Sequence, residues 1–194
     1  MKTIVVKKIY RTDDLAWIRI PKVASSAMYD FFEKHNVFHK PMTGISIEEF
    51  LALPRPGFVF AFVRNPFDRL VSAYYNRACR GLSSKEFNAA AAAGDFDGYI
   101  RSVCNTEDKH LEQHMRPQTL FLEGFEPDFV GRYETFQKDW KTVCQNIGFT
   151  PKSLPKKNVT NNRPPDKQLW TKELMGLVQE RFKADFKRFG YKLR

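Results

Sequence analysis

Two short apolar segments, each running into a polar loop and then a helical pattern, constrain the fold more than any other feature. The first is residues 15–20, followed by Pro21-Lys-Val-Ala-Ser-Ser26. The second is residues 58–63, followed by Arg64-Asn-Pro-Phe-Asp-Arg69 and then Ser72. A strand that leads through a short loop into a helix directs backbone N–H groups and a positive helix end at an anion. Two such units predict a ligand with two separate phosphate-type groups.

Strand and helix patterns alternate along the whole chain. Strands are predicted at 15–20, 36–39, 58–63, 120–122 and 129–133. Helices are predicted between them, with a loop near Gly94 and a last helix over 166–189. A length of 194 residues with 42% hydrophobic residues fits one domain. The sequence therefore predicts a single α/β domain over 1–194, with a mostly parallel central sheet flanked by helices and a P-loop-like nucleotide-binding core.

Three predicted strand ends carry side chains suited to anion chemistry. In a parallel sheet, ligands bind beyond the carboxyl ends of the strands. The residues expected at that edge are Lys22, Ser25, Ser26, His39, Arg64 and Ser72. An alternative for Arg64 is a structural ion pair with Asp68 or Glu134, and Arg69 is an alternative structural partner for these carboxylates.

The charge of the chain points to anionic partners. The formal net charge is +10, and the sequence pI is near 9.6. Such a balance attracts nucleic acid, anionic membranes, or phosphorylated and sulfated ligands. Lys and Arg are spread along the chain, which favours a charged site over a nucleic-acid-binding arm. The three cysteines show neither a disulfide framework nor zinc spacing.

These residues resemble the sulfotransferases that use 3′-phosphoadenosine-5′-phosphosulfate (PAPS), closest to the carbohydrate-type, sulfotransferase family 2-like branch. Residues 21–26 resemble the 5′-phosphosulfate loop, and residues 64–74 resemble the 3′-phosphate motif. His114-Met-Arg-Pro-Gln118 is similar to a His-Trp-x-Pro-Gln element of that branch, with Met115 in place of Trp. The resemblance extends from about residue 15 to residue 191.

The resemblance implies a role for each residue of the two phosphate units. The nucleotide would be held by Pro21, Lys22, Val23, Ala24, Ser25, Ser26, Arg64 and Ser72. Lys22 would also be catalytic, because negative charge grows on the bridging phosphate oxygen as the S–O bond breaks. In relatives, a loop closes over the nucleotide where this chain has Lys157 and Asn158, within a basic run that includes Lys156 and Arg163. Tyr133 and Trp17 could stack on adenine or pack in the core, and core packing is favoured for Trp17.

A histidine is the expected general base. His39 lies between the two phosphate units, where cytosolic relatives carry a catalytic histidine after a strand. His110 and His114 are rivals, and His114 is expected to shape the acceptor side. The two are four residues apart, as in some metal pairs, but no third ligand is evident, so no metal is expected.

The leading hypothesis is transfer of a sulfuryl group from PAPS to a hydroxyl, of a carbohydrate in this branch. One alternative is a P-loop-like small-molecule kinase, which the missing glycine-rich loop disfavours. Another is a non-catalytic domain that binds polyanions or nucleic acid, and a sulfotransferase-like binder without turnover also stays open. With PAPS as co-substrate, no nucleic-acid partner and no membrane span are expected, and the oligomeric state stays open. The chain is expected to be cytoplasmic, or to lie in the Golgi lumen if it is a trimmed domain.

Overall fold

The computed structural model describes residues 8–39, 41–78, 86–150, 154 and 166–193. These residues form two compact units that alternate along the chain. The sheet unit consists of the described residues of 8–64 and 120–154, and the helical unit of those of 65–119 and 166–193. Both strands and helices are present, which confirms the α/β class.

The sheet unit holds four strands in the order β1-β2-β3-β4. They are β1 (Lys8–Arg11), β2 (Leu15–Arg19), β3 (Phe58–Val63) and β4 (Phe129–Arg132). β2, β3 and β4 run parallel to one another, and β1 pairs antiparallel with β2. The mostly parallel central sheet is confirmed, and the carboxyl ends of β2, β3 and β4 lie at one edge.

Eight α-helices accompany the sheet within the described part of the chain. They are α1 (Ser25–Lys34), α2 (Ile47–Leu51), α3 (Pro66–Ala78), α4 (Glu86–Ala92), α5 (Phe96–Asn105), α6 (Phe136–Asn146), α7 (Lys172–Arg181) and α8 (Lys183–Phe189). α1, α2 and α6 belong to the sheet unit, and the other five to the helical unit.

Continuous apolar runs form the central strands because both faces of a parallel sheet are covered. Residues 59–63 of β3 are all buried. On the sheet unit's core side, the Trp17 ring of β2 lies 5.1 Å from Phe32 of α1, and Phe31 lies 5.1 Å from Trp140 of α6. Trp17 is fully buried, so the preference for core packing is confirmed.

The helical unit has its own apolar core. Phe67 and Tyr74 of α3 are buried together with Tyr99 of α5 and with Phe182 and Phe186 near the C-terminus. The predicted helix over 166–189 is divided into a 3₁₀ turn (Asp166–Leu169), α7 and α8, with a break at Phe182. Gly190 ends α8 in the left-handed conformation.

Two predicted strands are wrong. No strand forms over residues 36–39. Residues 36–38 lie in turns, because α1 ends in a Schellman motif: the Asn36 N–H donates to Glu33 O, and the Val37 N–H donates to Phe32 O at 3.0 Å. Asn36 has the left-handed φ of 53° that this motif requires. Residues 120–122 belong to a 3₁₀ helix, Gln118–Leu122.

β1 was not predicted, although a hairpin signal is present. The Thr12 N–H donates to Leu15 O at 2.8 Å, and the Leu15 N–H donates to Thr12 Oγ1 at 3.2 Å. This closes the tight turn at Asp13 and Asp14, residues typical of turns. The four-residue strand before it is too short to give a clear alternation.

Candidate functional site

The loop after β2 has an unusual backbone. Lys22 and Ala24 have φ values of 71° and 64°, in the left-handed region that residues other than glycine seldom adopt. Each such residue costs on the order of 1–3 kcal/mol and persists only where the surrounding structure holds it in place. Pro21 and Val23 supply that anchorage, since both are buried. Lys22 is half-buried between these two anchored residues, so its main chain is held in place.

α1 begins without a side-chain cap. The N-cap residue is Ala24, which has no side-chain oxygen. Ser25 and Ser26 occupy the first two helical positions, whose N–H groups have no acceptor within the helix. Ser25 is buried and Ser26 is exposed. A positive helix end with two serines and a neighbouring lysine is suited to bind a phosphate-type anion.

Arg64 joins the ends of three neighbouring strands. It directly follows β3, and its Nη1 donates to the carbonyl oxygen of Lys22, in the loop after β2, at 3.4 Å. Its guanidinium carbon lies 4.2 Å from the ring centroid of Tyr133, which directly follows β4. Three of the predicted nucleotide-binding residues, Lys22, Arg64 and Tyr133, are therefore brought together within the sheet unit.

Tyr133 is exposed enough to contact a ligand. Its relative accessibility is 38%, unlike the fully buried Trp17. The ring also lies 6.4 Å from Phe136 at the start of α6. Tyr133 thus presents an aromatic surface at the strand ends, with a cation held against its ring.

Two further predicted residues lie in the helical unit. Ser72 is half-buried on α3, three residues after Arg69. His114 is half-buried just before Met115, which is fully buried in the core of that unit. The Trp-to-Met departure from the family element therefore concerns a packing position.

The strand expected to position His39 does not exist. His39 is exposed, has a φ of 58° and follows the turns that end α1. Phe38 beside it packs on Phe32, near the C-terminal end of α1, at 5.1 Å. Lys22 precedes the other end of this helix, whose ten residues span about 15 Å. His39 therefore does not follow a strand at the carboxyl edge of the sheet as predicted, and its catalytic role stays a prediction.

The basic run thought to close over the nucleotide lies outside the described residues. It comprises Lys156, Lys157, Asn158 and Arg163. Lys157 and Asn158 stay predicted nucleotide contacts.

One hollow of the sheet unit opens at the opposite edge. It measures about 380 Å³ and is lined by the first residues of β2 and β3, Leu15 and Phe58, and by His35 and Phe149. Its lining includes none of the predicted phosphate-binding residues. We place the candidate site at the carboxyl ends, because the loop conformation, the helix end and the cations coincide there.

Sequence reasoning did not predict the burial of three charged residues. Arg69, Arg116 and Asp185 are all at most 7% exposed, and all lie in the helical unit. Arg69 donates to the main-chain oxygens of Arg116 and Gln113, so the partner suggested for it from the sequence was incomplete. The family resemblance of residues 64–74 and 114–118 marked the segments that hold Arg69 and Arg116, but no sequence pattern indicated that these side chains are buried.

The described residues show neither a cluster suited to a metal ion nor a helix suited to span a membrane. No three side chains among His, Cys, Asp and Glu there lie close enough to hold a metal ion. Nor does any helix of this part of the chain have the length and apolarity needed to cross a membrane.

Comparisons with known proteins identify a family. A protein-family model described as "Sulfotransferase family" matches residues 8–192. Carbohydrate sulfotransferase 14 from Danio rerio is 25% identical over 216 residues, which cover 91% of this chain and 56% of that protein. The Mus musculus protein of the same name is 24% identical over 156 residues, covering 70% of this chain and 42% of its own length.

The chain thus spans about half the length of these relatives. No solved structure gives a significant match. The match covers nearly the whole chain, including the loops that follow β2 and β3. This chain belongs to the sulfotransferase family, in its carbohydrate-type, family 2-like branch.

Proposed function

We propose that this protein transfers a sulfuryl group from PAPS to a hydroxyl of a carbohydrate. The observation that carries the proposal is the Arg64 side chain, which contacts both the Lys22 loop and Tyr133 at three adjacent strand ends. In a member of this family, that cluster supplies cations and an aromatic ring where a nucleotide with two phosphate groups would bind. The names of the relatives support a carbohydrate as the acceptor.

Lys22 would stabilise the leaving group. The acceptor oxygen attacks sulfur, and the bond between sulfur and the bridging phosphate oxygen breaks. The electron pair of that bond goes to the phosphate, which leaves as adenosine 3′,5′-bisphosphate. A fixed ammonium beside the bridging oxygen gains attraction as charge grows, so its effect is on the transition state. The N–H groups at the start of α1, with Ser25 and Ser26, would hold the 5′-phosphate.

Arg64 and Ser72 would bind the 3′-phosphate, the guanidinium through paired N–H donors and the serine through its hydroxyl. Tyr133 would contact the nucleotide from the end of β4. Contact with the Lys22 carbonyl limits the freedom of the Arg64 side chain, which lowers the entropy lost on binding.

The acceptor proton would pass to a histidine. His39 and His114 are the two candidates, and a positioned base is worth roughly 10²–10⁴ in rate. His114 is half-buried, whereas His39 is exposed and follows the turns that end α1. Comparing the two alanine variants at saturating PAPS decides between them.

The test measures both binding and transfer. Titration calorimetry should give tighter binding of adenosine 3′,5′-bisphosphate than of AMP or ATP, and label from [³⁵S]PAPS should move to a polysaccharide without added magnesium. Preference for ATP with a magnesium requirement would instead indicate a kinase. Equal binding of all anions with a steep salt dependence would indicate a polyanion-binding domain.

A further inference from the structure

Asp185 is a fully buried carboxylate that holds main chain. It has 0% exposure and lies in α8 of the helical unit. Its Oδ2 accepts from the Gln118 N–H, and its Oδ1 accepts from the Thr119 N–H, each at 2.8 Å. The Gln118 side-chain amide also donates to it at 3.3 Å. The end of the His-Met-Arg-Pro-Gln segment is thereby fixed.

Two buried guanidinium groups bind the main chain of the same segment at residues that precede Gln118. Arg69 of α3 donates to Arg116 O at 2.7 Å and to Gln113 O at 3.1 Å. Arg116 in turn donates through Nε to Leu111 O at 2.7 Å. Burial lowers the pKa of the Arg116 guanidinium from its usual value. We call these three side chains, Arg69, Arg116 and Asp185, the charge clamp on residues 109–119.

Such an arrangement is a poor way to gain stability. Removing a charged group from water carries a large penalty, and well-packed apolar side chains often stabilise a fold as well or better. Hydrogen bonds from charged groups are, however, strong and directional, so they fix main chain in one conformation. The charge clamp therefore indicates that residues 109–119 are held in one conformation for a purpose other than the stability of the fold.

The held segment has an apolar and a polar side. Leu111 and Met115 are buried in the core of the helical unit, whereas Glu112, Gln113 and His114 are only half-buried. With its main chain fixed and its apolar side chains in the core, the segment presents its polar side chains in a defined direction. This is the pattern of a preorganised binding or catalytic element.

We propose that Asp185 and Arg69 are positioning residues for the sulfuryl acceptor: with Arg116, they fix residues 109–119 in the conformation that presents His114 to the acceptor hydroxyl. This inference rests on the proposed function. Neither residue touches the nucleotide in this scheme, so their loss changes acceptor recognition and leaves nucleotide binding intact.

The first test separates acceptor from nucleotide in the full chain. Asp185→Asn keeps the shape of the side chain but replaces one acceptor oxygen by a donor, and Arg69→Lys keeps the charge with fewer donors. The acceptor probes are chondroitin, heparosan and dextran. For any of these polymers that the parent protein sulfates, we expect both variants to raise the KM roughly tenfold. The Kd of adenosine 3′,5′-bisphosphate should stay within about twofold of the parent value.

Asp95→Asn is the matched control. The Asp95 carboxylate also accepts from a backbone N–H, that of Gly98 at 2.8 Å, but it caps α5 and is exposed. It should leave the acceptor KM unchanged. In the His114→Ala background, Asp185→Asn should raise KM no further, because it acts through His114. Fully additive effects, or an unchanged KM, would overturn the inference.

A second measurement needs no acceptor. In protein labelled at the histidine ring, the NMR signals of His114 should shift and broaden in Asp185→Asn, and stay unchanged in Asp95→Asn. An unchanged His114 signal in folded Asp185→Asn would overturn the inference even if no probe polymer is sulfated. Failure of the parent protein to bind the bisphosphate would instead count against the proposed function.

Discussion

Lys22 has a left-handed backbone, and the catalytic role proposed for its side chain can be tested by itself. In the proposed mechanism its ammonium acts mainly in the transition state. Lys22→Ala should therefore lower kcat by roughly 10²–10³-fold and change the Kd of adenosine 3′,5′-bisphosphate only slightly. Single-turnover transfer from [³⁵S]PAPS checks the rate, and calorimetry checks binding.

Lys34 offers a matched control for Lys22. It is an exposed lysine in the last turn of α1, at the other end of the helix. Lys34→Ala should leave both rate and binding near the parent values. A Lys22→Ala rate within a few-fold of the parent would show that the Lys22 side chain does not act on the leaving group.

Arg64 should distinguish nucleotides by their 3′-phosphate. Arg64→Ala should weaken adenosine 3′,5′-bisphosphate by about 1.5–3 kcal/mol, the range of a hydrogen bond to a charged group, and weaken AMP far less. Arg55→Ala serves as the control, since Arg55 is exposed and paired with Asp128 at 2.8 Å. Equal losses of affinity for the two nucleotides would show that Arg64 does not bind the 3′-phosphate.

At the scale of single elements, β4 and α7 each contain a glycine whose surroundings predict opposite effects. A Cβ on Gly131 of β4 would come within 2.5 Å of the buried Phe62 ring, whereas one on Gly176 of α7 would meet nothing within 4 Å. Gly131→Ala should destabilise the protein by about 1–3 kcal/mol. Gly176→Ala should stabilise it by about 0.5–1 kcal/mol, since alanine favours helix.

Urea unfolding followed by circular dichroism measures both glycine variants. The pair controls for the shared chemical change, because each adds one methyl group. Equal shifts of the same sign in the free energy of unfolding would show that the Phe62 ring does not disfavour a side chain at Gly131.

Elements with strong local signals were predicted from sequence, whereas those with ambiguous local signals or with distant contacts were not. β2 and β3 follow from continuous apolar runs, and the loops after them from Lys22 and Arg64. The start of α2 is equally local, since the Ser46-to-Glu49 spacing is typical of a capping box and Ser46 Oγ accepts from the Glu49 N–H at 3.2 Å. In contrast, the end of α1 was mistaken for a strand because Val37 and Phe38 are apolar. The charge clamp escaped detection because Arg69 and Asp185 lie far from residues 109–119 in sequence.

Because of the net charge of the whole molecule, general polyanion binding and specific bisphosphate binding should depend differently on salt concentration. With a net charge of +10, any polyanion is attracted at low salt. Raising salt from 0.05 to 0.5 M, conditions chosen to span a Debye length of about 14 to 4 Å, should abolish heparin binding. Bisphosphate binding should fall much less, because it depends on few, partly buried contacts, and fluorescence-detected thermal shifts in both salts check this.

The tryptophans also make the chain its own optical probe. Of its three tryptophans, Trp17 and Trp140 are buried in the sheet unit, and Trp170 lies 5.0 Å from the Phe67 and Phe96 rings of the helical unit. In Trp170→Phe, emission reports on the sheet unit alone, and its difference from the parent spectrum reports on the helical unit. Coincident urea midpoints for the two signals would identify one cooperative domain, whereas separate midpoints would identify two.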